Sequence, residues 1–326
     1  MLSAIIAEFT RCCQAAIRAW SSGLPFHRIS ASGDPVPRDF LFISMHIGTL
    51  TIVGVGLLGG SIGLAVKERR LATRIIGFGR NRANLQSAHR NGIIDEIFVD
   101  LKSAAAQSDF MVFCTPVDEI ARQIQIAADV CPKSCLITDV GSTKRHIVES
   151  IEQLCENSAF FVGSHPLAGS EKQGWQFADA NLFVGRTVVV AVTAKTAPHA
   201  VEQVSQFWQA LGAKVVEMDP TAHDRVVART SHMPHVIASA LGASLRLQPD
   251  QLKLAAKGLR DTTRIAAGDP KLWSAILLEN RQEILQSLQA LRHTLDEWHD
   301  ALEKADRTAI EALLEQGKQF RDALGN

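Results

Sequence analysis

A glycine-rich turn near residue 55 is the sequence feature that most constrains what this chain can fold into. Gly54, Gly56 and Gly59 form the pattern G-x-G-x-x-G between an apolar run typical of a buried strand and a segment typical of a helix. The first glycine allows a tight turn, the second admits a pyrophosphate to the backbone, and the third lets helix and strand pack closely. The pattern predicts a dinucleotide site, with a turn that serves packing alone as the alternative. The residues expected to contact the dinucleotide here are Gly54, Gly56, Leu57, Leu58 and Gly59.

Length and composition favour a globular protein of two domains. The chain has 326 residues and a formal net charge of zero. One core rarely serves a chain of that length, and the balanced charge gives no reason to expect nucleic acid or a membrane as a partner. The six cysteines contain no C-x-x-C pair. We therefore expect no metal site, and reduced thiols in a cytoplasmic protein.

Short apolar runs alternate with helical patterns after residue 45. Because these runs lack polar alternation, they indicate parallel strands covered on both faces. The predicted fold class is α/β, with a Rossmann-type doubly wound and mainly parallel sheet followed by an all-helical domain. The expected strands cover residues 50–53, 74–79, 98–99, 110–114, 134–139, 160–163, 187–192 and 214–218. The expected divisions of the chain are an extension outside the natural fold at 1–44, a dinucleotide-binding domain at 45–218, and a helical substrate and dimerisation domain at 219–326.

Three long helices are predicted after the last strand. They cover residues 223–244, with a kink at Pro234, then 272–298 and 308–324. Apolar residues recur at three- and four-residue steps in the second of these helices. An apolar face of that length needs a cover, so we expect a homodimer formed through the helical domain.

The carboxyl ends of the predicted strands carry the remaining cofactor candidates, because ligands bind at that edge of an open parallel sheet. Thr115 and Pro116 follow one central strand, and Arg80, Asn81 and Arg82 follow another. An NAD site usually places an acidic residue after the second strand to bind the ribose hydroxyls. No acid stands there, and the two arginines suit a 2′-phosphate. We expect NAD(P)+ as cofactor, with NADP+ favoured and NAD+ left open.

Four polar stretches interrupt the scaffold where a substrate would bind. They are D-V-G-S-T-K at 139–144, G-S-H-P-L-A-G-S-E at 163–171, T-S-H-M-P-H at 230–235, and G-L-R-D-T-T-R at 258–264 with D-P-K-L-W at 269–273. Ser142 has a helix cap as its alternative role, whereas His165 at the end of an apolar strand suits proton transfer near neutral pH. His232 and His235 share one helix face without a third metal ligand. The arginine loop suits carboxylate recognition, with a solvated surface loop as the alternative.

Together with the glycine turn, these stretches occur in an order that resembles the prephenate and arogenate dehydrogenases of tyrosine biosynthesis. The resemblance extends from about Met45 to about Asn280, and five motifs in one order make it specific. It implies the oxidation of a cyclohexadienol by a nicotinamide cofactor, with loss of carbon dioxide. The small-molecule substrate is prephenate or arogenate. The roles implied by the resemblance are proton acceptor for His165, orientation of the substrate hydroxyl for Ser142, carboxylate binding for Arg264, pocket lining for His235 and Trp273, and gating for Glu171.

The choice between substrates depends on His235, which looks like the form found in prephenate-using relatives. We expect prephenate dehydrogenase activity that yields 4-hydroxyphenylpyruvate, in a chain without a second enzymatic domain. The alternative is an arogenate or dual cyclohexadienyl dehydrogenase. A non-catalytic NAD(P)-binding regulator is a further alternative, against which Ser142, His165 and Arg264 argue. Short-chain dehydrogenases need a catalytic tyrosine, and this sequence contains none.

Overall fold

The computed structural model describes residues 45–154, 160–169, 172–248 and 250–325. The predicted extension at 1–44 and the candidate Glu171 lie outside the described residues. Eight strands form one sheet: β1 (Ile47–Val53), β2 (Ala72–Phe78), β3 (Glu96–Phe98), β4 (Phe110–Phe113), β5 (Leu136–Asp139), β6 (Phe161–Pro166), β7 (Thr187–Ala191) and β8 (Lys214–Met218).

Six helices connect or follow these strands. They are α1 (Leu57–Glu68), α2 (Arg82–Arg90), α3 (Leu101–Ala105), α4 (Val117–Ala128), α5 (Arg145–Leu154) and α6 (Pro198–Ala210). The region after β8 is helical, with α7 (Pro220–Val227), α8 (Met233–Ser244), α9 (Lys257–Thr263), α10 (Pro270–Glu279), α11 (Arg281–Glu303) and α12 (Arg307–Leu324).

The strand order across the sheet is β3-β2-β1-β4-β5-β6-β7-β8. All neighbours pair in parallel except β6 and β7, which are antiparallel. The chain moves from β1 outward to β3 and then returns to β4 on the other side of β1. That reversal creates a crevice at the carboxyl ends of β1 and β4, which is where doubly wound sheets bind ligands. The predicted α/β class is confirmed.

Two apolar layers, one on each face of the sheet, explain why the strands lack polar alternation. Leu50, Ile52 and Val112 pack with α1, α2 and α6 on one face. Met111 and Phe113 pack with α3, α4 and α5 on the other. Because successive side chains of a strand point to opposite faces, a strand covered on both sides must be apolar throughout.

The helical region differs from the prediction in its helix boundaries. The predicted helix 223–244 begins earlier, at Pro220, and residues Ala228–His232 form a π-helical turn directly before Pro234. Such a turn offsets the hydrogen-bond ladder where the proline lacks an N–H. The predicted helix 272–298 is two helices that meet at Asn280, and the predicted arginine loop contains α9. Sequence periodicity missed that break because both helices keep an apolar stripe.

Helices α7 and α10 bring the helical region onto the sheet domain. Helix α7 contacts α5, and α10 contacts α4. Ile276 of α10 is buried in the apolar layer formed by α4 and α5. These contacts hold α7 and α8 above the carboxyl end of β6. No helix among the described residues has the length and apolar character needed to cross a membrane.

Candidate active site

The glycine turn lines the crevice between β1 and β4, and each glycine has a separate structural reason. Gly54 adopts φ +98°, and a Cβ there would lie 2.8 Å from the Cys114 carbonyl oxygen. A Cβ on Gly59 would collide with the Gly54 carbonyl oxygen. A Cβ on Gly56 would meet no atom within 4 Å. The protein therefore needs Gly54 and Gly59 for its own packing, whereas the space at Gly56 is open for a ligand at the start of α1.

The residues expected to hold the adenosine end lie at the carboxyl end of β2. Arg80, Asn81 and Arg82 are all exposed. The Asn81 side chain accepts a hydrogen bond from the backbone N–H of Asn84 at 3.0 Å and so caps α2. The guanidinium groups of Arg80 and Arg82 make no ion pair with a described residue. Two free positive groups beside a helix N-terminus suit a phosphate.

Thr115 and Pro116 form the other wall of the crevice. Pro116 precedes the first residue of α4, and the Thr115 hydroxyl donates a hydrogen bond to the Gln123 side chain at 2.7 Å. The backbone of Gly54 approaches this wall so closely that a Cβ would lie 3.0 Å from the Thr115 methyl group. The crevice, with its open glycine and its positive rim, fits a dinucleotide.

A fully buried ion pair lies beneath the crevice at the end of β5. Lys144 donates to Asp139, and both side chains are 0% exposed. The Asp139 carboxylate also accepts from the backbone N–H groups of Gly141 at 2.8 Å and Ser164 at 3.0 Å. These bonds join the end of β5, the D-V-G-S-T-K loop and β6. Burial lowers the pKa of Lys144, and the nearby Asp139 carboxylate opposes that shift.

The D-V-G-S-T-K loop presents Ser142 half-buried between β5 and α5. Ser142 makes no hydrogen bond with a described residue. The helix cap that was its alternative role is supplied instead by Asp224, whose carboxylate accepts from the backbone N–H groups of Lys144 at 2.8 Å and Arg145 at 3.0 Å. Asp224 lies on α7, so this cap links the helical region to the sheet.

His165 stands where β6 extends past its neighbour. Residues Thr138 and Val162 pair across β5 and β6, and β5 ends one residue later, whereas β6 continues to Pro166. His165 is 9% exposed, and its Nδ1 lies 2.8 Å from Nε2 of His223. The other ring nitrogen of His223, Nδ1, lies 2.7 Å from Oδ1 of Asp224. His165, His223 and Asp224 thus form a continuous hydrogen-bonded chain.

The surroundings of His165 keep its imidazole neutral. Burial lowers the pKa of His165 well below its usual value, and the charges of His223, Lys144 and His232 lower it further. A histidine with a lowered pKa is unprotonated at neutral pH. His165 is therefore in the form that accepts a proton.

A second pair of histidines lines the side of the site formed by α8 and α10. The His235 ring stacks on Trp273 with centroids 3.5 Å apart, and His232 meets the same indole edge-on at 6.2 Å. The Asn280 amide donates to Nδ1 of His232 at 3.1 Å and to the backbone oxygen of Asp224 at 2.7 Å. Burial lowers the pKa of His232 to about 4 and lowers the pKa of His235.

Arg264 lies further from His165 than the other candidates that the structure describes. It is exposed in the short 3₁₀ turn Arg264–Ala267, which packs against α8, and it makes no ion pair with a described residue. A Cβ on Gly268, the residue after this turn, would meet both Trp273 and His235. Arg264 therefore shares a wall with the stacked pair, although nothing joins it directly to His165. Glu171 lies outside the described residues.

Sequence reasoning missed His223, Asp224, Asn280 and the buried pair of Asp139 and Lys144. Each of them acts through a partner that is distant in sequence or hidden from solvent. The adjacent His-Asp pair directly after the predicted domain boundary was the one available signal, since a carboxylate beside a histidine is a common way to orient a ring. An exposed group on α11, formed by His299, Asp300 and Glu303, has ligand atoms within 4.8 Å of one another. It is remote in sequence from the site residues.

Comparisons with known proteins agree with this arrangement. Residues 62–217 match the model of the prephenate dehydrogenase nucleotide-binding domain, and residues 219–316 match the prephenate dehydrogenase dimerization domain. The prephenate dehydrogenase of Bacillus subtilis is 34% identical over 281 residues, which are 85% of this chain and 76% of that protein.

Solved structures of similar proteins extend over nearly the same part of the chain. Prephenate dehydrogenase from Aquifex aeolicus, in complex with hydroxyphenyl propionate and NAD+, has a TM-score of 0.79 and 29% identity, covering 85% of this chain and 98% of its own. Synechocystis arogenate dehydrogenase has a TM-score of 0.73 and 29% identity, covering 85% and 99% respectively. With two family models over most of its length and a relative at 34% identity, the chain belongs to the prephenate dehydrogenase family of nicotinamide-dependent oxidoreductases.

Proposed function

We propose that this protein catalyses the oxidative decarboxylation of prephenate to 4-hydroxyphenylpyruvate. The observation that carries the proposal is a neutral, buried histidine at the same carboxyl edge of the sheet as a dinucleotide crevice. His165 lies at the end of β6, and Gly54, Gly56 and Gly59 line the crevice. A bound nicotinamide supplies a hydride acceptor, and the protein supplies alignment and a proton acceptor.

His165 takes the hydroxyl proton of the substrate in this proposal. Hydride leaves the ring carbon that bears the hydroxyl, the ring carboxylate departs as carbon dioxide, and the ring becomes aromatic. The lowered pKa of His165 supports this role because the ring accepts a proton only when it is neutral. Ser142, half-buried on the D-V-G-S-T-K loop, orients the substrate hydroxyl.

Arg264 binds a carboxylate of the substrate, and Glu171 gates the pocket. The exposed, unpaired guanidinium of Arg264 supports its part, because a fork of N–H donors without a competing acid is ready for a ligand. Its position on the wall shared with His235 and Trp273 puts it at the mouth of the same pocket.

Prephenate is favoured over arogenate because of His235. The stack on Trp273 fixes the His235 ring, and its buried Nδ1 has no hydrogen-bond partner among the described residues. An unpaired ring nitrogen costs free energy unless a ligand satisfies it. The keto side chain of prephenate offers an acceptor to that ring. An arogenate or dual cyclohexadienyl dehydrogenase is the second candidate, supported by the similarity to the Synechocystis arogenate dehydrogenase.

We propose NADP+ as the preferred cofactor. Arg80 and Arg82 support this choice, because both are exposed without an ion-pair partner among the described residues and no acid follows β2. NAD+ remains the alternative. A strong preference for NAD+ in kcat/KM would contradict the proposed role of these arginines.

The same proposal covers the organisation of the chain. Residues 45–218 form the dinucleotide-binding domain, residues 219–326 form the helical substrate and dimerisation domain, and residues 1–44 are an extension. Exposed apolar side chains on α11 and α12, among them Leu285, Leu295 and Phe320, support a homodimer through the helices. The described cysteines are free thiols, which supports a cytoplasmic protein.

The test of the function is an absorbance assay at 340 nm with each substrate and each cofactor. We expect reduced cofactor to form with prephenate, and kcat/KM to be lower with arogenate. A signal with arogenate alone would select the second candidate. No signal with either substrate would favour a non-catalytic cofactor-binding protein.

Arg264→Ala tests the carboxylate role in the same assay. The expected result is a rise in KM for prephenate of about tenfold or more, with kcat nearly unchanged, because an interaction of equal strength in the ground state and the transition state contributes to KM alone. Lys257→Ala, on α9 of the same region, serves as the control. A change in kcat alone would contradict carboxylate binding by Arg264.

A further inference from the structure

We propose that His223 and Asp224 are positioning residues that hold His165 in the tautomer with an unprotonated Nε2 and store the proton that His165 takes from the substrate. This inference rests on the proposed function for its substrate, although the tautomer itself is a property of the protein alone. Its basis is the hydrogen-bonded chain from Asp224 through His223 to His165.

The direction of the chain is set at its Asp224 end. The Asp224 carboxylate accepts from the backbone N–H groups of Lys144 and Arg145, which can only donate. Its position at the N-terminus of α5 further favours the ionised form. An ionised carboxylate only accepts hydrogen bonds. Nδ1 of His223, at 2.7 Å from Oδ1, must therefore carry a proton.

The rest of the chain follows from the chemistry of a neutral imidazole, which has one donor nitrogen and one acceptor nitrogen. Since Nδ1 of His223 carries the proton, Nε2 of His223 is the acceptor. It lies 2.8 Å from Nδ1 of His165, so that nitrogen must donate. The lone pair of His165 is then on Nε2, which has no hydrogen-bond partner among the described residues and is not one of the buried unpartnered atoms. Nε2 is left to meet the substrate.

The proton balance of the reaction explains why such a chain is useful. One proton leaves the substrate hydroxyl, one hydride goes to the nicotinamide, and the loss of carbon dioxide leaves an electron pair on the ring oxygen. That oxygen then needs a proton to become the phenol of the product. The reaction therefore borrows one proton and returns it, and the protein needs a place to keep that proton rather than a path to solvent.

The histidine chain provides this place. When Nε2 of His165 takes the hydroxyl proton, the proton on its Nδ1 moves to Nε2 of His223, and His165 is neutral again. The positive charge then lies on His223, beside the Asp224 carboxylate, instead of on a ring whose charged form is opposed by burial and by Lys144 and His232. The reverse movement returns the proton to the product oxygen. One proton enters and one is passed on at each step, so the chain is balanced.

The decisive measurement is the ¹⁵N NMR spectrum of protein labelled at its histidine rings, with the His165 signals assigned by their loss in His165→Gln. We expect Nδ1 of His165 to carry the proton in the unmodified protein at pH 7. In Asp224→Asn the carboxamide can donate to Nδ1 of His223, so both rings should reverse and His165 should carry its proton on Nε2. A proton on Nε2 of His165 in the unmodified protein would overturn the proposal, whether or not the protein oxidises prephenate.

Kinetics supply the second arm. Asp224→Asn should lower kcat by about 100-fold or more with the KM for the cofactor unchanged, as expected for a base held in the wrong tautomer. His223→Gln keeps an acceptor oxygen for His165 and should lose less activity than His223→Leu. Asp306→Asn is the matched control, since Asp306 caps α12 through the N–H of Ala309 far from the site. Equal losses in His223→Gln and His223→Leu, or full activity in Asp224→Asn, would overturn the proposal.

Discussion

The cofactor crevice and the histidine cluster lie side by side at one edge of the sheet, but they are constructed in opposite ways. The crevice is formed by residues close together in sequence, from Gly54 to Gly59, whose shape follows from the backbone of one turn. The histidine cluster joins residues 58 positions apart, His165 and His223, through a single hydrogen bond. A local motif can be recognised from its spacing, whereas a long-range cluster exists only when the fold brings its members together.

The two regions also differ in their electrostatics. The crevice is open and has exposed positive charges at Arg80 and Arg82. The cluster is buried, and its charges are compensated internally by Asp139 with Lys144 and by Asp224 with two backbone N–H groups. Substitutions in the crevice should therefore change cofactor binding alone, while substitutions in the cluster should change chemistry and stability. Four experiments test this difference.

His165→Asn should have the largest effect. Loss of the proton acceptor should lower kcat by roughly 100- to 10,000-fold, the range typical of a positioned general base. Cofactor affinity should stay the same if the two regions are separate, and titration of the bound nicotinamide by fluorescence measures it. Turnover near that of the unmodified protein would remove His165 from its role, and a loss of cofactor binding would show that the two regions are not separate.

Lys144→Met should be the most destabilising substitution of the cluster. It leaves the Asp139 carboxylate, 0% exposed, without its positive partner. Breaking a buried pair by removing one member costs about 3–5 kcal/mol of unfolding free energy. Urea denaturation measures the loss, and the double variant Asp139→Asn with Lys144→Met should regain part of it. Unchanged stability in the single variant would mean that this pair does not organise the cluster.

Acid should weaken the cluster before it affects the crevice. The pKa of His232 is lowered from 6.5 to about 4 in the folded chain. Between these values the unfolded chain binds a proton that the folded chain does not, so stability falls as the pH drops. From pH 7 to pH 5 the contribution of His232 is about 2 kcal/mol, because one pKa unit corresponds to about 1.4 kcal/mol.

Chemical denaturation at the two pH values measures this loss in the unmodified protein and in His232→Asn. The variant should show a smaller difference between pH 7 and pH 5. His165 and His235, whose pKa values are lowered as well, act in the same direction and remain in both proteins. An equal pH dependence in the two proteins would contradict the burial of a neutral His232.

Gly56→Ala should have the smallest effect and the most selective one. A Cβ there meets no protein atom within 4 Å, so Tm should stay the same while the KM for the cofactor rises about tenfold, a change of about 1.4 kcal/mol. Gly59→Ala is the contrast, because its Cβ would collide with the backbone of Gly54, and Tm should fall. A lower Tm in Gly56→Ala with no change in KM would show that this glycine serves packing rather than the cofactor.

The sequence by itself determined the sheet, the glycine turn and the identity of His165, because these depend on local regularities. A strand covered on both faces must be apolar, and a G-x-G-x-x-G turn has the same backbone reason wherever it occurs. The same reasoning failed at Asn280, where two helices share one apolar stripe and the break leaves no trace in the periodicity.

Only the tertiary structure decided how His165 is made a base. The hydrogen bond with His223 and the cap from Asp224 to α5 depend on α7 packing against the sheet domain, and no spacing in the sequence encodes that packing. The lowered pKa of His165 has the same origin, since burial and three distant charges cause it. Sequence patterns name residue types and their local geometry, whereas proton affinity depends on everything that the fold places around a group.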